Sequence, residues 1–110
     1  MKFSRITERA LGTRERYVEF ERASYGREWT LEELTLGLVG DVGDLAKLVQ
    51  AREGVRKIDA DVGEALAHEL SDVLWSVIVI ADRCGIDLEE SFVRTMDELD
   101  HALDDATADS

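Results

Sequence analysis

Apolar residues recur every three or four positions along most of the chain, a spacing that predicts amphipathic helices rather than strands. The spacing is clearest in two segments, at Leu34, Leu38, Val42, Leu45 and Val49, and again at Leu88, Phe92, Met96, Leu99 and Leu103. No segment alternates apolar and polar residues for long enough to favour a strand. The pattern therefore predicts an all-α protein.

Start and stop signals divide the chain into helices. Thr30 is followed three residues later by Glu33, which is the capping-box pattern, and Asp61 and Asp87 head similar starts. Glycines that favour helix ends stand at positions 26, 54 and 85, and the chain contains no proline. These signals predict four helices, at about 4–25, 31–53, 61–84 and 88–106.

The third predicted helix differs from the others because it is apolar on almost every side. Residues 70–81 read LSDVLWSVIVIA. A helix of this kind is surrounded by other elements, so we expect it at the centre of a four-helix bundle or against a second subunit. A domain of 110 residues buries a limited share of its surface, and sharing a core with a second copy of the chain would be a natural remedy.

Composition narrows the class of protein. The length predicts one domain over residues 1–110, whose acidic end, about 104–110, is expected to fray. The net charge of -12 argues against nucleic-acid binding, which requires clustered Lys and Arg. The single cysteine, Cys84, excludes an internal disulfide. The chain starts with a polar segment and has no long apolar run, so we expect a cytoplasmic protein without a membrane span.

Four acidic residues form the candidate site. Asp72 lies inside the apolar third helix, and Glu69 precedes it by three residues on the same helical face. The second helix carries a matching pair, Asp41 and Asp44. If the two helices pack side by side, four carboxylates converge, and their mutual repulsion is relieved by a divalent cation. Ligands that are all oxygen favour magnesium, manganese or calcium.

Three glycines lie within the second predicted helix beside these acids, at positions 37, 40 and 43. Each costs roughly 1 kcal/mol relative to alanine in a helix interior. Two interpretations remain open at this point. The missing side chains leave room for close helix packing, or they leave room for a ligand next to the acids.

The segments GLVGDVGDLAKLV (37–49) and HELSDVLWSVIVIA (68–81) resemble the MazG-like family of all-α nucleotide pyrophosphohydrolases. The family is marked by two acid pairs, each of the form acid-x-x-acid, on consecutive helices. The resemblance implies the fold of the all-α NTP pyrophosphatases and a homodimer or a dimer of dimers. It also implies Mg²⁺, with Mn²⁺ as the alternative, bound by Asp41, Asp44, Glu69 and Asp72. Glu69 and Asp72 would be catalytic in hydrolysing nucleoside triphosphates to monophosphate and pyrophosphate. The chain departs from the pattern at Gly40, where many relatives carry a glutamate, and in having aspartates as its first pair.

Further residues are candidates for holding the substrate, and each has a plainer interpretation. The basic candidates for the triphosphate are Lys47, Arg52, Arg56 and Lys57. Lys47 would otherwise pair with Asp44, and the rest would be solvated surface. Trp29 is a candidate for stacking on the base, against a role at the edge of the core. His68 is a candidate donor to the acids, against an exposed position.

Three other functions compete with this prediction. The first is a phosphoribosyl-ATP pyrophosphohydrolase-like enzyme, which has a similar fold and acid pattern. The second is a catalytically weak helical module that binds a metal or a nucleotide. The third is a plain oligomeric bundle whose acids make salt bridges; this alternative is disfavoured by Asp72, for which we expect no basic partner on its own helix.

Overall fold

The computed structural model describes residues 1–55, 57 and 61–108, and these residues form four α-helices and no strand. The helices are α1 (Phe3–Tyr25), α2 (Leu31–Arg52), α3 (Val62–Arg83) and α4 (Leu88–Ala108). The prediction of an all-α chain with four helices is confirmed. Helix α4 continues to Ala108, so residues 104–108 are helical, and the fraying of the acidic end stays a prediction. None of the described helices combines the length and the hydropathy needed to cross a membrane.

The predicted capping signals are present at the helix ends. Thr30 Oγ1 accepts a hydrogen bond from the Glu33 amide at 3.2 Å, and Glu33 Oε1 accepts from the Thr30 amide at 3.1 Å. Asp61 and Asp87 each accept the amide three residues later at 3.1 Å. The glycines after α1, α2 and α3 have positive φ: Gly26 (76°), Gly54 (82°) and Gly85 (68°). Local sequence therefore determines where these helices begin and end.

Helix α3 is the central element, as predicted. It makes its most extensive contact with α2, a smaller one with α1 and the smallest with α4. Trp75 ties it to α1, because its indole Nε1 donates to the Ala10 carbonyl at 3.0 Å and its ring lies 5.5 Å from that of Tyr17. The pairing of α2 with α3 is the part of the fold that positions the acids.

The apolar core of the single chain is small. Among the described residues, the buried apolar side chains are Ile78, Val79 and Ala81, while Leu70 and Leu74 of the same helix are 53% and 44% exposed. The radius of gyration is 17.8 Å, against about 13 Å for a compact domain of this length. One chain therefore leaves much of the apolar surface of α3 and α4 uncovered.

Candidate metal centre and adjoining cavity

Three carboxylates converge where α2 packs against α3. Asp41 and Asp44 lie three residues apart on one face of α2, and Glu69 faces them from α3. One oxygen of each carboxylate lies within 4.8 Å of those of the other two. The structure thus brings together three of the four acids that the sequence singled out.

Glu69 has the least favourable surroundings for a charged carboxylate among the three acids. Its Oε1 atom is buried and has no hydrogen-bond partner. Burial raises the pKa of the Glu69 carboxyl, and the neighbouring charges of Asp41 and Asp72 raise it further. The folded chain therefore holds this carboxylate in a position where its negative charge is uncompensated.

This arrangement fits a divalent cation. The donors are all carboxylate oxygens, which select hard cations such as Mg²⁺, Mn²⁺ and Ca²⁺. A cation would also satisfy the unpartnered Glu69 oxygen and relieve the repulsion within the cluster. When bound, it would supply charge neutralisation and polarise the phosphate oxygens of a substrate.

Asp72 stands beside this cluster with a different partner. Its Oδ2 lies 3.2 Å from Nε2 of His68, one turn earlier on α3, and its side chain is 43% exposed. The expectation that Asp72 lacks a basic partner on its own helix is therefore wrong. Asp72 is half-buried rather than enclosed in a dry interior, and Leu70 and Leu74 of the same helix are also exposed. Its place among the metal ligands stays a prediction.

The glycines of α2 lie in open space. A Cβ atom added at position 37, 40 or 43 would meet no described atom within 4 Å, apart from its own helix and neighbours. Close packing against another helix of this chain, the first of the two interpretations, is therefore excluded for the described residues. The side of α2 next to Asp41 and Asp44 is free for a ligand or a second subunit.

A cavity of about 270 Å³ adjoins the acids, between α1, α2 and α3. Its walls are largely aromatic: Tyr17, Phe20, Tyr25, Trp29 and Trp75. Asp41 and Asp72 also line it, so the cavity opens directly onto the acidic site. Flat aromatic walls beside a cluster of carboxylates suit a ligand with a planar apolar part and a part that binds metal.

A buried ion pair on α1 also lines the cavity, and sequence reasoning missed it. Arg14 and Glu21 are 7% and 4% exposed, and Arg14 donates to both Glu21 oxygens at 2.8 and 3.0 Å. Burial alone would raise the pKa of Glu21, but hydrogen bonds from Arg14 and from the Trp29 amide outweigh burial and hold the pKa below its usual range. The signal in the sequence was a spacing of seven, which puts both residues on one helical face.

The predicted substrate-binding residues are only partly brought together. Trp29 lines the cavity. Lys47 is exposed one turn beyond Asp44, and Lys57 is exposed after α2. Arg52 bonds Glu53 Oε1 at 2.9 Å at the end of α2, and Arg56 lies outside the described residues. Among the described members of this set, Trp29 is the residue that lies at the cavity.

Comparison with known proteins gives a family match and several related sequences. A family profile described as "MazG nucleotide pyrophosphohydrolase domain" matches residues 29–102. The chain is 41% identical over 68 residues to dCTP pyrophosphatase 1 of Rattus norvegicus and 40% identical over 73 residues to that of Homo sapiens. Both alignments cover 58% of this chain and 40% of the relative, so the chain spans about two fifths of the length of these relatives. No solved structure matches it significantly.

Proposed function

Because the chain belongs to the MazG nucleotide pyrophosphohydrolase domain family, we propose that it hydrolyses a nucleoside triphosphate to the monophosphate and pyrophosphate in the presence of magnesium. The observation that carries this proposal is the convergence of Asp41, Asp44 and Glu69 next to a cavity with aromatic walls. Carboxylates that hold a divalent cation and a cavity for a planar base are the two parts that such a substrate requires.

The proposed substrate is a pyrimidine deoxynucleoside triphosphate, with dCTP as the first to test. Its support is the name of the relatives, dCTP pyrophosphatase 1, at about 40% identity over the matched region. In the proposed complex the base enters the cavity near Trp29, and the phosphates extend toward Asp41. The basic residues that would receive the outer phosphates are Lys47, Arg52, Arg56 and Lys57.

The acids have distinct proposed roles. Asp41, Asp44 and Glu69 hold the cation, since their oxygens lie within reach of one another. Asp72, which lines the cavity and contacts His68, completes the ligand set or accepts the proton of the attacking water. Because position 40 is a glycine rather than an acid, these four residues are the whole acidic set of the motif. The two in the first pair are aspartates, which are shorter than glutamates.

We also propose that the protein works as a homodimer or a dimer of dimers. An apolar groove of about 500 Å³ runs between α3, α4 and the start of α1, lined mainly by Phe3, Leu74, Val77, Leu88, Phe92 and Val93. Phe92 is 60% exposed. Val93 and Leu74 of the same groove are 54% and 44% exposed. Neighbouring apolar side chains that are exposed in this way often mark an interaction surface, and a second copy of the chain would cover them.

The test is a panel of canonical and modified nucleoside triphosphates, with phosphoribosyl-ATP included, assayed for pyrophosphate release with and without Mg²⁺. We expect release from dCTP with Mg²⁺ and none with a chelator. The matched variants are Asp41→Asn, which removes one carboxylate of the cluster, and Glu64→Gln, which removes an exposed carboxylate on α3. The first is expected to be nearly inactive and the second unchanged.

Two results would support the competing functions. Preference for phosphoribosyl-ATP over every triphosphate would favour the phosphoribosyl-ATP pyrophosphohydrolase-like enzyme. Binding of triphosphates with Mg²⁺ but no turnover across the panel would favour the catalytically weak binding module, since Gly40 and the two aspartates then mark a lost activity.

A further inference from the structure

The Arg14–Glu21 pair is the best-buried charged pair in the part of the chain that the structure describes, yet the small apolar core does not require it. Both residues precede the segment that the family profile matches, residues 29–102. Their side chains are 8% and 5% exposed. Burying two charges costs free energy that their mutual attraction often does not recover, and apolar residues of similar size often stabilise a fold as well as such a pair does. The pair therefore invites an explanation other than stability.

The geometry around Glu21 supplies one. Its Oε1 accepts a hydrogen bond from the backbone amide of Trp29 at 2.8 Å, and the same atom accepts from Arg14 at 3.0 Å. Trp29 directly precedes Thr30, the N-cap of α2, and α2 carries Asp41 and Asp44. Glu21 thus connects the middle of α1 to the residue that stands between the aromatic cavity and the start of the metal-binding helix.

The Trp29 side chain is partly open to water. It is 41% exposed, and its contact to Glu21 is made through the backbone rather than the indole ring. The bidentate contact with Arg14 fixes the orientation of the Glu21 carboxylate, because a guanidinium fork matches a carboxylate in one plane. Glu21 therefore holds the backbone from which the Trp29 ring reaches the cavity, and Arg14 holds Glu21.

We propose that Glu21, oriented by Arg14, is a positioning residue that fixes Trp29 as a wall of the cavity and thereby sets the affinity of the site for the nucleoside part of its substrate. The proposal rests on the proposed function for the identity of that ligand. It assigns no chemical step to either residue. Its consequence is that loss of the Trp29 contact weakens nucleotide binding while the metal site and the rate of the bound substrate are preserved.

Two double variants isolate the contact. Arg14→Met with Glu21→Leu replaces the pair by apolar residues of similar size, and Arg14→Met with Glu21→Gln keeps an oxygen that accepts from the Trp29 amide. Both avoid an unpaired buried charge, which would itself destabilise the fold. The control is Arg27→Met with Glu33→Gln, which breaks an exposed ion pair of 2.6 and 3.1 Å near the same connection and keeps a capping glutamine.

The measurements are the Kd of a dCTP analogue with a non-hydrolysable link between the α and β phosphates, the Mg²⁺-induced shift in melting temperature, and kcat and KM for dCTP. For the Met/Leu variant we expect Kd and KM to rise about tenfold, with the Mg²⁺ shift retained and kcat within about threefold of the wild type. The Met/Gln variant is expected to recover most of the affinity, and the control to match the wild type.

Three outcomes would overturn the proposal. The first is wild-type affinity in the Met/Leu variant. The second is equal loss of affinity in the Met/Leu and Met/Gln variants, and the third is a loss of the Mg²⁺ shift in parallel with nucleotide affinity, which would indicate a general structural role. A wild type that binds the analogue but hydrolyses nothing would reject the proposed activity and leave the binding comparison decisive. A wild type that binds no nucleotide would reject both.

Discussion

At the scale of a single residue, the main feature of the site is the environment of the Glu69 carboxylate. Its Oε1 is buried without a partner, and Asp41, Asp44 and Asp72 surround it with like charge. A protein that only needed stability would have no use for this arrangement, because an uncompensated buried carboxylate is costly. This cost is explained if a cation neutralises the carboxylate when substrate binds.

Replacement of Glu69 tests its part in turnover. Glu69→Gln keeps the size of the side chain and removes its charge. A charge that stabilises the transition state contributes roughly 3 kcal/mol or more, so kcat should fall at least about a hundredfold. We expect the affinity for the triphosphate to change much less, since the cavity walls are intact. A kcat within a few-fold of the wild type would exclude Glu69 from the reaction.

The pH dependence of stability follows from the same carboxyl. Its pKa in the folded metal-free protein lies above the ordinary value of 4.5. Folding therefore favours the protonated form of Glu69. This preference contributes fully to the free energy of unfolding below pH 4.5, and the contribution is lost as the pH rises through the raised pKa. Without metal, the melting temperature of the wild type should fall relative to that of Glu69→Gln over this range.

The control for this comparison is Glu64→Gln on the exposed side of α3. Its melting temperature should follow the wild type at each pH. Parallel curves for the wild type and Glu69→Gln would mean that the Glu69 pKa is not raised in the metal-free protein. Because protons and cations compete for the same oxygens, the Mg²⁺-induced shift should also shrink toward acid pH.

At the scale of the element, α2 combines a strong start with a weak middle. The capping box at Thr30 stabilises its first turn. Glycines at 37, 40 and 43 then lower its helix propensity, and a Cβ added at any of them would meet open space. The helix gives up stability beside Asp41 and Asp44, where space for a ligand matters.

Gly40→Ala measures that loss. We expect the free energy of unfolding of the metal-free protein to rise by about 1 kcal/mol, since alanine is the better helix former and meets no described neighbour. Gly26→Ala is the matched control, and it should destabilise the protein because residue 26 has a φ of 76°. Urea denaturation of both variants gives the comparison. Destabilisation by Gly40→Ala would mean that a second subunit occupies that space.

The elements also show what the sequence could and could not predict. Caps at Thr30 and Asp61 and the glycine at 85 act within one or two turns, so the helix bounds could be predicted closely. The acid pairs could be predicted because residues three positions apart lie on the same face of a helix. The Arg14–Glu21 pair was missed because a spacing of seven does not show that this face of α1 is buried, and the Trp29 amide that joins the pair depends on how the chain turns after α1.

At the scale of the molecule, the open shape of the single chain is the main feature to explain. Leu99 and Leu103 lie on the same helical face of α4 as Phe92 of the apolar groove, and they are 52% and 64% exposed. The total charge of -12 opposes nonspecific association. Pairing through this groove is therefore expected to be specific and apolar.

Phe92→Asp tests the assembly. A charge placed at the centre of the groove should prevent the proposed pairing of chains, and sedimentation equilibrium should then give the mass of one chain, 12.3 kDa. The control is Arg94→Asp, two residues further along α4 and therefore on its opposite side. That variant should keep the mass of the wild type. A wild type that already sediments as a monomer at micromolar concentration would reject the assembly.

The identity of the products tests the central claim most directly. Wild-type protein is incubated with dCTP and Mg²⁺, and the products are separated by ion-exchange chromatography. If the acids of α2 and α3 direct attack between the α and β phosphates, the products are dCMP and pyrophosphate in equal amounts, and both disappear with Glu69→Gln. Formation of dCDP and single phosphates, or products that persist undiminished in Glu69→Gln, would contradict the account.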